Sequence, residues 1–251
     1  MKKYWILFLF LFVMGKPAFG LEKRDILFYA SFDKDLNADI ALGSRAPTIK
    51  GKKTFQLIEG LKGKGVLVNH PDTFLWYETK GNYLPDEGTI SLWAKSVDWK
   101  NPDGNFHLFF QTVVERDRIL YTYYGGGYLA FYFGAWSGKA ARTTCGAPWK
   151  PGEWHHLVAT WSKQKKEIAV YFDGTEHLKK NAPDFIFPLV KAKKPNYFSI
   201  GPRFRWRHIS GKADTIIDEF YIFKKALSYS EISSLYKKGV DFLPSKQKAE
   251  K

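Results

Sequence analysis

The sequence predicts an all-β fold: two antiparallel sheets packed as a sandwich, with one short C-terminal helix. Three observations predict it. Short runs rich in Tyr, Phe, Trp, Val and Ile recur between clusters of Gly, Pro, Asp and Asn. Several of these runs alternate, and only one segment has helical spacing. No low-complexity tract, long linker or internal repeat divides the chain after its first residues, so a single domain is expected.

The chain opens on a different pattern. Met1-Lys2-Lys3 is a short positive region, Tyr4 to Met14 is an unbroken apolar run, and Ala18-Phe19-Gly20 places small side chains where a signal peptidase accepts them. The run has 11 residues, against about 20 for a spanning helix. Residues 1–20 are therefore expected to be a cleaved secretory signal, residues 21–243 the sandwich, and residues 244–251 a polar tail. No cysteine stands at the cut, so a lipid-anchored lipoprotein is not expected. No later stretch is long enough to span a membrane. The expected destination is secreted or periplasmic.

Strands are expected at Ile26 to Phe32, Gly65 to Asn69, Thr89 to Lys95, Phe106 to Thr112, Arg118 to Tyr124 and Tyr128 to Gly134. Further runs are Trp154 to Trp161, Glu167 to Phe172, Tyr197 to Ile200 and Thr215 to Phe223. Trp93 interrupts the alternation of its run, which predicts a strand covered on both faces. Asp173-Gly174 reads as a hairpin turn, because glycine tolerates positive φ. Ser228 and Glu231 form a capping box ahead of Ile232, Leu235 and Tyr236, and Gly239 is the helix stop. Trp93, Trp154 and Trp161 are assigned to the core.

The formal net charge is +14, and losing Lys2, Lys3 and Lys16 with the signal brings it to +11. Outside the cytoplasm that excess favours acidic glycans or surfaces, though it also serves plain solubility. Nucleic acid is not expected, since no reader motif is present. Cys145 is the only cysteine, so no intramolecular disulfide can form.

The order of motifs resembles the laminin-G-like branch of the concanavalin A-like jelly roll. The residues that carry the likeness are Leu27 to Asp33, Gly88 to Trp93, Pro151 to Ala159, Tyr171 to Gly174, and Ile217 to Phe223 followed by Lys225-Ala226-Leu227-Ser228. Lys225 stands where the family usually has arginine. The resemblance implies a jelly roll with one concave face, glycan or protein ligands, and glycanases among its relatives. It also implies one structural calcium at Asp33 and Asp218, on neighbouring terminal strands, where the alternative is a turn cap or a lysine pair.

Other constellations carry less. Asp33, Asp35, Asn37 and Asp39 alternate like an EF-hand loop, but Ala38 and Ser44 replace the required glycine and glutamate, which excludes it. Glu115-Arg116-Asp117 is the best catalytic candidate, but it lacks the second glutamate of a jelly-roll glycanase. His155 and His156 face opposite ways on a strand and cannot share a metal. The stretch 203–208 is the most unusual. Extended, it sets Arg203, Arg205 and Arg207 on one face and Phe204 and Trp206 on the other. Arginine forks match carboxylate and sulfate oxygens, and aromatic rings stack on the apolar faces of sugars. Arg203, Arg205, Trp206, Arg207, Trp136 and Tyr132 are the candidate ligand-binding residues, with Trp99 and Trp149 as further aromatic candidates. The leading expectation is a non-catalytic lectin-like module for a polysaccharide or glycan, acidic polysaccharides included. A glycan-cleaving enzyme and a protein-binding module are the alternatives.

Overall fold

The computed structural model describes residues 20–51, 54–68, 73–112, 118–123, 126–134, 140–176, 180–181, 196–201 and 214–239. The expected signal up to Phe19 and the polar tail lie outside the described residues. Strands are numbered in chain order.

Among the described residues, one sheet has ten strands. Its main path runs β14 (Thr175–Glu176), β13 (Glu167–Phe172), β12 (Trp154–Ser162), β7 (Glu87–Ser96), β17 (Thr215–Phe223), β1 (Ile26–Ala30) and β2 (Ile40–Ala41). Off this path, β5 (Lys64–Val68) pairs with β17, β4 (Gln56–Glu59) with β5, and β15 (Lys180–Asn181) with β13. The other has seven among the described residues, in the order β11 (Ala140–Gly146), β10 (Tyr128–Gly134), β9 (Arg118–Tyr123), β8 (Leu108–Thr112), β16 (Tyr197–Ile200), β6 (Phe74–Glu78) and β3 (Thr48–Lys50). All pairings are antiparallel.

The inward faces of the two sheets form the main core. Phe28 meets Tyr77, Phe198 and Phe220 edge-on, at ring centroid distances of 4.8, 5.1 and 6.0 Å. Edge-to-face packing of this kind adds to the area the rings bury. A second apolar cluster lies under helix α1 (Tyr229–Lys238), where Ile232 and Leu235 meet Val158, Ala169, Tyr171, Tyr221 and Phe223. The capping box forms as the sequence predicts: Ser228 Oγ accepts from the Glu231 N–H, and Glu231 accepts from the Ser228 N–H.

That second cluster explains Trp93. The residue is half-buried on the outward face of β7 and stacks between His156 (5.0 Å) and Tyr236 of α1 (5.7 Å). The strand is covered on both faces, as the broken alternation predicts. Trp161 is fully buried in the main core. Trp154 is a correction: it is half-buried, with Lys95 Nζ 5.0 Å from its ring centroid. Trp99 and Trp149 are corrected in the other direction, since both are 2% exposed and pack in the core. Their rings meet at 4.9 Å and cannot stack on an external ligand.

Strand β17 organises the larger sheet. Along one edge it pairs with β7 throughout; along the other it pairs first with β5 and then with β1. The register shifts between Asp218 and Tyr221, where β5 gives way to β1, and Glu219 takes φ of +49°. Leu61 and Lys62, in the turn ahead of β5, donate to Asp218 of β17 there, and Asp33, just past the end of β1, accepts from Lys64 at the start of β5. The Asp173-Gly174 hairpin also forms, with both residues at positive φ.

Candidate functional site

Strand alternation sorts the side chains of the seven-stranded sheet. Leu75, Tyr77, Phe110, Leu120, Phe131, Phe198 and Ile200 face the core, so the residues between them face outward. Register then aligns one outward row across the sheet: Thr48, Trp76, Ser199, Gln111, Ile119, Tyr132 and Arg142. Trp76 also contacts Phe74 at 5.9 Å and Tyr197 at 5.6 Å, which makes an aromatic cluster at one end. Half-buried Tyr132 and exposed Arg142 stand at the other. At about 4.8 Å per strand, Trp76 and Tyr132 are roughly 19 Å apart.

The middle of the row is polar. Gln111 and Ser199 face each other across the β8–β16 ladder, and each is 0% exposed. Neither amide atom of Gln111 nor the hydroxyl of Ser199 has a hydrogen-bond partner. Of this row, sequence reasoning singled out only Tyr132. Phe74 to Glu78 was not read as a strand, and Gln111 was passed over inside an apolar run. A lone Gln within Leu-Phe-Phe-Gln-Thr was the signal that could have found it.

The structure brings Asp33 and Asp218 to the same turn. Asp218 Oδ2 accepts from the N–H groups of Leu61 (2.8 Å) and Lys62 (3.1 Å), and Oδ1 from that of Glu219 (2.7 Å). Asp33, at the surface, accepts from the Lys64 N–H at 3.0 Å. Gly63, at φ +64°, lies against Asp33: a Cβ there would come within 2.0 Å of Oδ1. Burial pushes the Asp218 carboxyl up to about 6; the three N–H bonds oppose this and the Asp33 charge adds to it. Both carboxylates keep lone pairs beyond those the N–H groups use, so the donor set fits a hard cation completed by main-chain oxygens. Among the described residues no third acidic, histidine or cysteine side chain joins them.

Glu219 turns elsewhere. It is 3% exposed and accepts from Tyr29 (3.0 and 3.1 Å) and Tyr221 (2.9 Å), whose rings stack at 4.3 Å. Burial and the neighbouring Asp218 push its carboxyl up to about 7, against the pull of the two hydroxyls.

The histidines divide as alternation predicts. His156 is fully buried and shares a 2.8 Å hydrogen bond with Ser91, and burial lowers its pKa to about 4. His155 meets Asp173 at 2.7 Å and stacks on Phe172. Cys145 is buried and free, its thiol pushed up to about 12 by burial. Asp35, Asn37 and Asp39 line a cleft of about 380 Å³ together with Lys34 and Arg45. Arg203, Arg205, Trp206, Arg207, Trp136, Glu115 and Asp117 lie outside the described residues. No helix among the described residues is long and apolar enough to cross a membrane.

Compared with known proteins, residues 75–233 match the model of the Concanavalin A-like lectin/glucanases superfamily, in its laminin-G form. No curated protein matches the sequence. Among solved structures, the chain resembles the receptor binding domain of botulinum neurotoxin C/D mosaic serotype at 12% identity and TM-score 0.64. That match covers 86% of this chain and 52% of the neurotoxin domain. It resembles the binding domain of botulinum neurotoxin DC in complex with rat synaptotagmin II at 12% identity and TM-score 0.65, covering 85% and 51%. It resembles the serotype D ligand binding domain in complex with N-acetylneuraminic acid at 13% identity and TM-score 0.63, covering 86% and 51%. The chain thus spans about half the length of each, and at these identities the likeness concerns the fold. The family match covers more than half of the chain and agrees with the two-sheet antiparallel sandwich seen here: this protein belongs to the concanavalin A-like lectin/glucanase superfamily.

Proposed function

We propose that this protein is an exported, non-catalytic carbohydrate-binding module whose ligands include acidic polysaccharides. The row from Trp76 to Arg142 carries the reading. Half-buried aromatic rings stand at both ends, an exposed cation stands at the edge, and the residues between them are buried. The +11 charge expected of the mature chain and a neighbour of the same fold solved with N-acetylneuraminic acid, an acidic sugar, support the acidic preference. The row contains no carboxylate, and glycoside hydrolysis needs two, so no covalent step is proposed. A glycan array probed at rising salt tests the reading. Binding that weakens with salt supports an acidic ligand; silence at low salt on every glycan overturns the module.

A protein ligand is the second reading, supported by the neighbour solved with synaptotagmin. A pull-down that survives deglycosylation of the captured partner would favour it. A structural calcium belongs to the proposal too, held by Asp33 and Asp218 where the two terminal strands and the turn ahead of β5 meet. Bound there, it would neutralise two neighbouring carboxylates. Calcium should raise the melting temperature of the wild type and leave Asp218→Asn unmoved; equal shifts in both would remove the site.

A further inference from the structure

We propose that the cleft between the two loops flanking β2 binds one acidic sugar unit, its carboxylate held by Lys34 and Arg45 and its hydroxyl groups by Asp35, Asn37 and Asp39. The site is separate from the outer row and stands on its own residues. The cleft measures about 380 Å³, inside the range of roughly 300–1,000 Å³ usual for small-molecule sites. Its lining is open to solvent: every residue of it but Ser31 is exposed.

The charged groups are fixed from behind and open in front. Arg45 Nε donates to the Ala38 carbonyl at 2.7 Å, and the Ala38 N–H donates to the Arg45 carbonyl at 3.0 Å. The two terminal nitrogens of that guanidinium, and Lys34 Nζ, have no partner among the described residues. Asp39 Oδ2 accepts from the N–H and the hydroxyl of Ser31, both at 2.8 Å, which leaves Oδ1 open. Asp35 Oδ1 accepts from the Asn37 N–H at 2.7 Å, which leaves Oδ2 open. Two cations and two carboxylates thus line one cleft without pairing to each other, and a ligand that meets both kinds fits between them. The loop is anchored before any ligand arrives. Phe32, at φ +61°, turns the chain with its ring buried in the core, the Tyr77 hydroxyl donates to the Leu36 carbonyl, and the Asp39 N–H donates to the Tyr29 carbonyl at 2.8 Å. A preorganised loop loses little freedom on binding.

The lining chooses among ligands. Ala46 is its one apolar residue, so an apolar ligand would bury nothing there. A metal ion would face Lys34 and Arg45, and among the described residues no three acidic, histidine or cysteine side chains converge on one point. Phosphate or sulfate would set its remaining oxygens against Asp35 and Asp39. A free amino acid has one ammonium for two carboxylates and nothing for the Asn37 carboxamide. A sugar acid meets every group: its carboxylate takes the guanidinium fork, and its hydroxyls donate to the open oxygens of Asp35 and Asp39.

The test is a ligand-detected magnetic resonance titration of the purified protein at fixed calcium. The probes are free glucuronic, galacturonic and N-acetylneuraminic acids, the neutral sugars glucose and galactose, and free glutamate. One sugar acid should bind at millimolar concentration, more weakly as salt rises, and at least about tenfold more tightly than a neutral sugar. Arg45→Gln should lose about tenfold in that affinity, and Lys34→Ala about threefold. No binding of any sugar acid, equal affinity for the neutral sugars, tighter binding of glutamate, or undiminished affinity in Arg45→Gln overturns the site. If Arg45→Gln does not fold, Lys34→Ala decides, since it breaks no bond in the loop. Glycan-array binding that Arg45→Gln leaves intact overturns the cleft and keeps the carbohydrate reading of the outer row.

Discussion

Asp218 and Glu219 are consecutive carboxylates held by different neighbours, one by main-chain N–H groups and the other by two tyrosines. Both are pushed above their ordinary values, to about 6 and about 7. The folded state thus holds their protons more tightly than the unfolded state does. Stability from this source is fully present below the unfolded values, near 4, and is lost as pH rises through 6 to 7. Without calcium, urea denaturation should show a fall on the order of 2 kcal/mol between about pH 5 and about pH 8, and Glu219→Gln should flatten it. Asp25 and Glu231 are shifted the opposite way: Lys225 and main-chain N–H groups outweigh burial, so their contribution is lost only at lower pH. Gly63→Ala should lower the melting temperature sharply, because its Cβ would strike Asp33 at a backbone angle that suits glycine. At this scale the sequence was partly legible. The pairing of Asp33 with Asp218 followed from the order of motifs, since terminal strands meet in such folds. The surroundings of Glu219 did not, because they depend on a register shift that no spacing reveals.

Helix α1 is the clearest case of an element that could be read in advance. Ser228, Glu231 and Gly239 mark its ends, and Ile232 and Leu235 mark its buried face. Leu235→Ala should destabilise the protein by about 2–5 kcal/mol in chemical denaturation, because the residue is 3% exposed over a packed face. Ser228→Ala should cost about 1 kcal/mol. The strands divide by how they are buried. All ten runs found in the sequence fall on strands, because they supply the core from long apolar or alternating segments. Strands β2, β3, β4, β11, β14 and β15 escaped notice, being short, at or near a sheet edge, or built of small and polar residues such as Ala140 to Gly146. Strand β6 escaped for another reason. Its Phe-Leu-Trp-Tyr-Glu alternates only in burial, since both faces carry aromatic rings. The outer row was hidden with it: Tyr132 stands out as an aromatic residue, while the pairing of Gln111 with Ser199 depends on a ladder that no spacing reveals.

The whole molecule has a large aromatic core and no disulfide. A thiol reagent should label Cys145 only as fast as the native protein opens, and urea should accelerate that labelling. Reducing agents should leave the melting temperature unchanged. The order of the larger sheet has a further consequence, for the time at which the protein can exist at all. Strand β17, near the end of the chain, lies between β7 and β1 and also anchors β5. Until residue 223 is available, the first strand has no partner on that side and the sheet stays in three pieces. The longest loop closures come last, which makes folding slow. A chain emerging from the ribosome therefore cannot close this sheet early, and if the protein is exported as proposed above, that delay would keep it threadable: the topology itself acts as the timer.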